Sequence, residues 1–154
     1  MAKEKILVVD DDHDLLTLMQ AWLEAAGYEV SLAEKGEDAL ARAEAQIFNA
    51  AILDLKMEGM DGIALLERLL QIQPHLPVIM ATAHATIANA VEAIRKGAYD
   101  FLAKSFDTEE LLHRLEKALE VGRLKVEVDQ LRALVPKRYH FENIIASSES
   151  SPRS

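Results

Sequence analysis

The chain has 154 residues, half of them apolar and 28% charged, with a net charge of −9 and no cysteine. That length holds one ordinary domain with its own core plus a short appendage; the acidic balance argues against nucleic-acid binding, and the missing thiols exclude disulfides and cysteine zinc sites. No apolar run approaches the roughly 18 residues of a membrane span, and the opening MAKEK lacks the apolar stretch of a secretion signal, so a cytoplasmic protein without membrane contact is expected.

In chain order, the aliphatic residues Ile6 to Val9 form the first predicted strand and run straight into Asp10, Asp11 and Asp12, with a fourth acid at Asp14. Leu15, Leu16, Met19 and Leu23 follow at helical spacing, and Gly27 closes that helix. The second strand covers Glu29 to Leu32, Gly36 opens the second helix, and the third strand covers Ala50 to Leu53. Asp61 and Gly62 precede a third helix whose apolar residues are Ile63, Leu65, Leu66, Leu69 and Leu70. A fourth strand spans Pro77 to Met80, Gly97 ends the fourth helix, and the fifth strand spans Tyr99 to Leu102. Five strands alternating with five helices imply an α/β fold, a doubly wound parallel sheet with helices on both faces. Ligands of such sheets bind beyond the carboxyl ends of the strands.

The last helix is expected to start at Asp107, with Glu110 three residues on as a capping box, and to run to about Val135, where Pro136 stops it. It would be roughly 40 Å long, more than a domain of this size needs, so its end should project. Val121, Leu124, Val128, Leu131 and Val135 repeat at spacings of three and four, the seam of a two-heptad coil or the apolar face of a helix folded back on its own domain. The expected organisation is a domain over residues 1–120, a helical linker over 121–136, and over 137–154 the start of a downstream domain or a disordered tail.

Polar groups gather at the strand ends. The first strand supplies Asp10 and Asp11, the third Asp54, the fourth Thr82, and the fifth is followed by Lys104. Singly, each has an ordinary explanation: an Asp after a strand caps the next helix, a Thr satisfies its own backbone, a Lys is solvated. Asp54 is the exception, because Leu55 follows it and no helix begins there. Together on one sheet edge they suit one chemistry. Clustered carboxylates keep their charges around a divalent cation, and oxygen-only donors select Mg²⁺. A carboxylate can act as nucleophile toward phosphorus, while a Lys and a Thr hydroxyl bind phosphoryl oxygens. With no Gly-rich phosphate loop, a nucleotide donor is not expected.

The acidic pair in "ILVVDDD", the context "LDLKMEGMDG", the "ATAH" stretch and the lysine in "FLAKSF" resemble, in order and spacing, a receiver domain of a two-component response regulator over residues 5 to about 120. The resemblance implies a flavodoxin-like sheet order 2-1-3-4-5. It implies Mg²⁺ bound by Asp10, Asp11, Asp54 and the backbone carbonyl of Lys56, with Asp54 accepting a phosphoryl group from a sensor histidine kinase. It makes Lys104 the phosphoryl-pairing lysine, Thr82 the switch hydroxyl and Phe101 the switch aromatic. Such domains are not turnover enzymes, and their output is dimerisation through the face from the fourth to the fifth helix, here joined by the linker coil. Two positions depart from the pattern: Glu58 and Ser105 stand where receivers usually have proline. A non-proline cis peptide costs roughly 2.5 to 4 kcal/mol, so Lys104–Ser105 is expected to be trans. "FENIIASSES", residues 141–150, resembles the start of the ATPase domain of nitrogen-regulatory-type enhancer-binding activators, with Ala146 in place of the usual Gly. Two other readings stay open: an Mg²⁺-dependent phosphatase or phosphotransferase with an Asp nucleophile, and a binding module that has lost phosphorylation. Against the enzyme, Lys56 occupies the position two residues after Asp54 where such enzymes place a second acid.

Overall fold

The computed structural model describes residues 3–57 and 59–134. Its elements are β1 (Lys5–Val9), α1 (His13–Ala25), β2 (Glu29–Ala33), α2 (Gly36–Ala45), β3 (Ala50–Leu53), β4 (Lys56–Met57), β5 (Met60–Asp61), α3 (Gly62–Ile72), β6 (Val78–Thr82), α4 (Ile87–Arg95), β7 (Asp100–Ala103) and α5 (Thr108–Ala133). The five longer strands form one parallel sheet in the order β2-β1-β3-β6-β7. This is the expected order 2-1-3-4-5 once the two-residue strands β4 and β5 are set apart. Those two pair antiparallel as a small hairpin that the sequence reading did not anticipate.

The strands read as continuous apolar runs because both faces of the sheet are covered. Leu7, Val9, Leu53 and Met80 pack with α2, α3 and Ala93 of α4. Their neighbours Ile6, Val8, Ile52 and Ile79 pack on the other face with Leu16, Met19 and Leu23 of α1 and Leu111 and Leu115 of α5. Gly27 and Gly97 end α1 and α4 as expected. Their φ values are +98° and +114°, and the residue after each donates back into the helix, Tyr28 to Leu23 at 3.1 Å and Ala98 to Ala93 at 2.9 Å. Pairing of β6 with β7 continues to Thr82 and Ala103, so Thr82 belongs to the strand, not to the loop after it.

At α5, the Asp107 carboxylate accepts the Glu110 N–H at 2.7 Å, while the Glu110 carboxylate lies 3.4 Å from Arg114. No peptide among the described residues is cis, so Lys104–Ser105 is trans as expected. The fold divides into a unit reaching Gly122 and a second beginning at Arg123. Within the first, α5 buries Leu111, Leu115, Ala118 and Leu119; within the second, Leu124, Val128 and Leu131 are exposed. The predicted helix end at Val135 and Pro136, and the stretch 137–154, lie outside the described residues.

Candidate functional site

The sheet register brings the acids together. Val9 pairs with Leu53, so the next residue of each strand, Asp10 and Asp54, leaves the sheet side by side. The Asp54 N–H donates to the Val9 carbonyl at 3.0 Å and the Asp10 N–H to the Ala33 carbonyl at 3.1 Å, which hold both backbones to the sheet edge. On the other side, the Lys104 N–H donates to the Thr82 carbonyl at 2.9 Å and fixes the start of the loop after β7. Gly62 permits a close approach behind Asp54: a Cβ there would collide with the Asp54 carbonyl oxygen and lie 2.6 Å from that of Leu55. The hairpin β4–β5 and the start of α3 therefore fold directly against the backbone that carries Asp54.

Asp10, Asp54 and Thr82 are the buried polar or charged side chains among the described residues. Lys104 Nζ lies 2.8 Å from Asp10 Oδ2 and 3.4 Å from Asp54 Oδ2, so it serves Asp10 more closely than Asp54. The other Asp10 oxygen accepts the Asp12 N–H at 2.9 Å. Asp11 is exposed, and one of its carboxylate oxygens falls within 4.8 Å of oxygens of both Asp10 and Asp54. The run of acids after β1 thus divides by role. Asp12 is the ordinary helix cap, accepting from the Leu15 N–H at 3.2 Å, and Asp14 lies in the first turn of α1, where a negative charge favours the helix dipole.

Three carboxylates face one ammonium, and the imbalance shows in the titration of Asp54. Burial first, and the Asp10 charge second, push the Asp54 carboxyl above its ordinary value, against the opposing pull of Lys104 and the Lys56 backbone N–H. Burial works against the Lys104 charge as well, but its hydrogen bond to Asp10 and the two carboxylates outweigh that, so its ammonium is held above the usual lysine value. Lys104 is therefore a fixed positive charge, and the cluster still carries excess negative charge. A set of hard oxygen donors with uncompensated charge suits a hard divalent cation. Lys56, the residue whose carbonyl the resemblance makes a fourth donor, contributes its backbone N–H to Asp54.

Alternation along the strands assigns the two predicted switch residues to one face. Thr82 follows Val78 and Met80 at a spacing of two, and Phe101 is the register partner of Met80, so both belong to the side covered by α2, α3 and α4. Thr82 is 0% exposed and its hydroxyl accepts the His84 N–H at 3.0 Å; Phe101 is half-buried against the core of that face. A feature unforeseen from sequence is an open cleft of about 580 Å³ beside the site, between Leu55, Met57 and Met60 on one side and Asn89 and Glu92 of α4 on the other. It follows from the hairpin, which two-residue strands do not announce by any periodicity.

Residues 6–116 match the family model described as the response regulator receiver domain. The chain is 42% identical over 131 residues to the C4-dicarboxylate transport transcriptional regulatory protein DctD of Rhizobium meliloti, covering 85% of this chain and 28% of that protein. It is 44% identical over 117 residues to the transcriptional regulatory protein ZraR of Salmonella typhimurium, covering 76% of this chain and 26% of that protein. It therefore spans less than a third of the length of these curated relatives. Among solved structures, NtrX from Brucella abortus in complex with ADP superposes with a TM-score of 0.80 at 40% identity, over 88% of this chain and 31% of that one. The beryllofluoride-activated NtrC4 receiver domain dimer superposes with a TM-score of 0.74 at 33% identity, over 77% of this chain and 98% of that one. With its sheet order, its acidic edge and this match across the body of the fold, the chain belongs to the response regulator receiver domain family.

Proposed function

We propose that this chain is a phosphorylation-dependent signalling receiver in which Asp54 accepts a phosphoryl group from a phosphohistidine of a sensor kinase. An Asp54 carboxylate oxygen bonds to phosphorus as the phosphorus–nitrogen bond breaks, the electron pair leaves on the imidazole nitrogen, and an acyl phosphate remains. The observation that carries this reading is the meeting of Asp54, Asp10, Asp11 and Lys104 at the carboxyl ends of β1, β3 and β7. Asp10, Asp11 and Asp54 would hold Mg²⁺, with the Lys56 carbonyl as a further donor. When bound, Mg²⁺ supplies charge that offsets the clustered carboxylates and the phosphoryl oxygens.

This chain's own groups do the rest. Lys104, already positive and 3.4 Å from Asp54, pairs with a phosphoryl oxygen as its contact with Asp54 is replaced. Thr82 turns its hydroxyl toward the new dianion, and Phe101, on the same face of the sheet, moves into the space released. The altered surface over α4, β7 and α5 then favours a homodimer, and the signal passes to an output domain of a transcriptional activator in the cytoplasm. Among the described residues no helix is long and apolar enough to cross a membrane.

Incubation of the chain with acetyl phosphate and Mg²⁺ tests the reading. It requires a lasting mass gain of one phosphoryl group that Asp54→Asn abolishes and chelation of the metal prevents. Rapid release of inorganic phosphate would favour a phosphatase, and no modification would favour a binding module that has lost the reaction.

A further inference from the structure

The hairpin β4–β5 carries the Lys56 N–H that bonds to Asp54, and it leads into Gly62, which lies against the Asp54 backbone. Its two facing pairs, Lys56 with Asp61 and Met57 with Met60, are too few to hold a hairpin in place by themselves. Its position therefore depends on what its side chains touch. Met57 is 8% exposed and belongs to the core of the face covered by α2, α3 and α4. Met60 packs against the same core but is only partly buried, and its sulfur sits over Gly36, where α2 begins. A Cβ at Gly36 would collide with Met60 Sδ and lie 2.9 Å from its Cε. The bare glycine is a notch that the thioether fills, with no room for a further atom between sulfur and helix.

Met60 is also the most open to attack of the methionines among the described residues. Met19 and Met80 are 1% and 0% exposed and Met57 8%, whereas Met60 is partly exposed and lines the cleft beside the site. Peroxides oxidise methionine sulfur to the sulfoxide. The sulfur lone pair attacks one oxygen of hydrogen peroxide, the O–O bond breaks, and the departing hydroxide takes the proton of the transferred hydroxyl and leaves as water. Sulfur has then lost the two electrons that the peroxide gained. The product turns a flexible apolar side chain into a polar one with an added oxygen, which no longer suits an apolar seat against the backbone of α2. Relief comes from lifting the hairpin off α2, and the Lys56 N–H moves with it.

We infer that Met60 is a site of reversible oxidation by peroxides, at which sulfoxide formation loosens β4–β5 from α2 and slows phosphoryl uptake at Asp54. The effect on uptake rests on the phosphoacceptor reading above; the oxidation and the loosening do not. The full chain is exposed to graded hydrogen peroxide, peptide mass locates each sulfoxide, and intact mass follows uptake from acetyl phosphate with Mg²⁺. Among Met19, Met57, Met60 and Met80, Met60 should convert first, uptake should slow roughly tenfold as it does, and methionine sulfoxide reductases should reverse both changes. Met60→Leu, which keeps the apolar bulk without the thioether, should make uptake insensitive to peroxide. Gly36→Ala, whose Cβ takes the place of the sulfur, should slow uptake with no oxidant present. Hydrogen exchange reads the loosening by itself: the peptide carrying β4 and β5 should exchange faster once Met60 is oxidised. Conversion of another of the four methionines first, unchanged exchange, or full-rate uptake by chain oxidised at Met60 overturns the inference. No uptake by the untreated chain sinks the receiver reading alone, since the order of conversion and the exchange still decide the oxidation site and its effect on the hairpin.

Discussion

The interior of the sheet and its carboxyl edge differ within a single residue step. Val9 and Leu53 are 1% and 0% exposed and purely aliphatic, while the next residues, Asp10 and Asp54, are nearly as buried and carry charge. In the interior, burial and packing act together, each aliphatic side chain adding roughly 1.5 to 3 kcal/mol of transfer free energy. At the edge, burial opposes the charge of Asp54, and Lys104 offsets only part of that opposition. The comparison teaches that the first region sustains the fold and the second holds unfavourable electrostatics in place for use.

Substitutions can break or sharpen that contrast. The largest effect is expected inside: Ile52→Ala, at a side chain 2% exposed in a central strand, should cost about 4 kcal/mol in urea unfolding, yet leave phosphoryl uptake intact in the folded fraction. At the edge, Lys104→Met removes the cation from between Asp10 and Asp54. Its side chain is 21% exposed, so the loss should be nearer 2 kcal/mol than the larger values of fully buried pairs, and added Mg²⁺ should recover part of it.

Asp54→Asn should move stability the other way. Because the folded state holds this carboxyl above its ordinary value of 3.8, ionisation costs the folded protein more than the unfolded chain. There is no penalty below pH 3.8; it grows as pH rises from there to the raised folded value and is complete above it. Without Mg²⁺, Asp54→Asn should therefore stabilise the chain by about 1 kcal/mol at neutral pH, with the gain vanishing below pH 3.8, as followed by thermal melts across pH. The smallest effect is at the solvated ion pair of Arg114 with Asp100, 2.9 Å apart and partly exposed. Arg114→Ala should cost about 0.5 kcal/mol, less at high salt.

Much of this was legible in the sequence because a parallel sheet covered on both faces needs uninterrupted aliphatic runs, and five such runs separated by helical spacing leave few architectures. Boundaries were less legible: the fourth strand extends to Thr82 through backbone pairing with Ala103, which side-chain pattern does not reveal. Asp54 stood out since no helix follows it to be capped. Among Asp10, Asp11 and Asp12, residue type alone does not separate the cap from the two that join Asp54; the family resemblance points to Asp10 and Asp11, and the geometry gathers those two with Asp54 and leaves Asp12 as the cap. The preference of Lys104 for Asp10 was likewise hidden, being a matter of less than an ångström across 94 positions of chain.

The most direct test is to treat the chain with acetyl phosphate and Mg²⁺, reduce any acyl phosphate with borohydride, and identify the converted residue by peptide mass spectrometry. The account predicts homoserine at position 54 and nowhere else. Conversion at Asp10, Asp11 or another acid, with Asp54 unaltered, would contradict it.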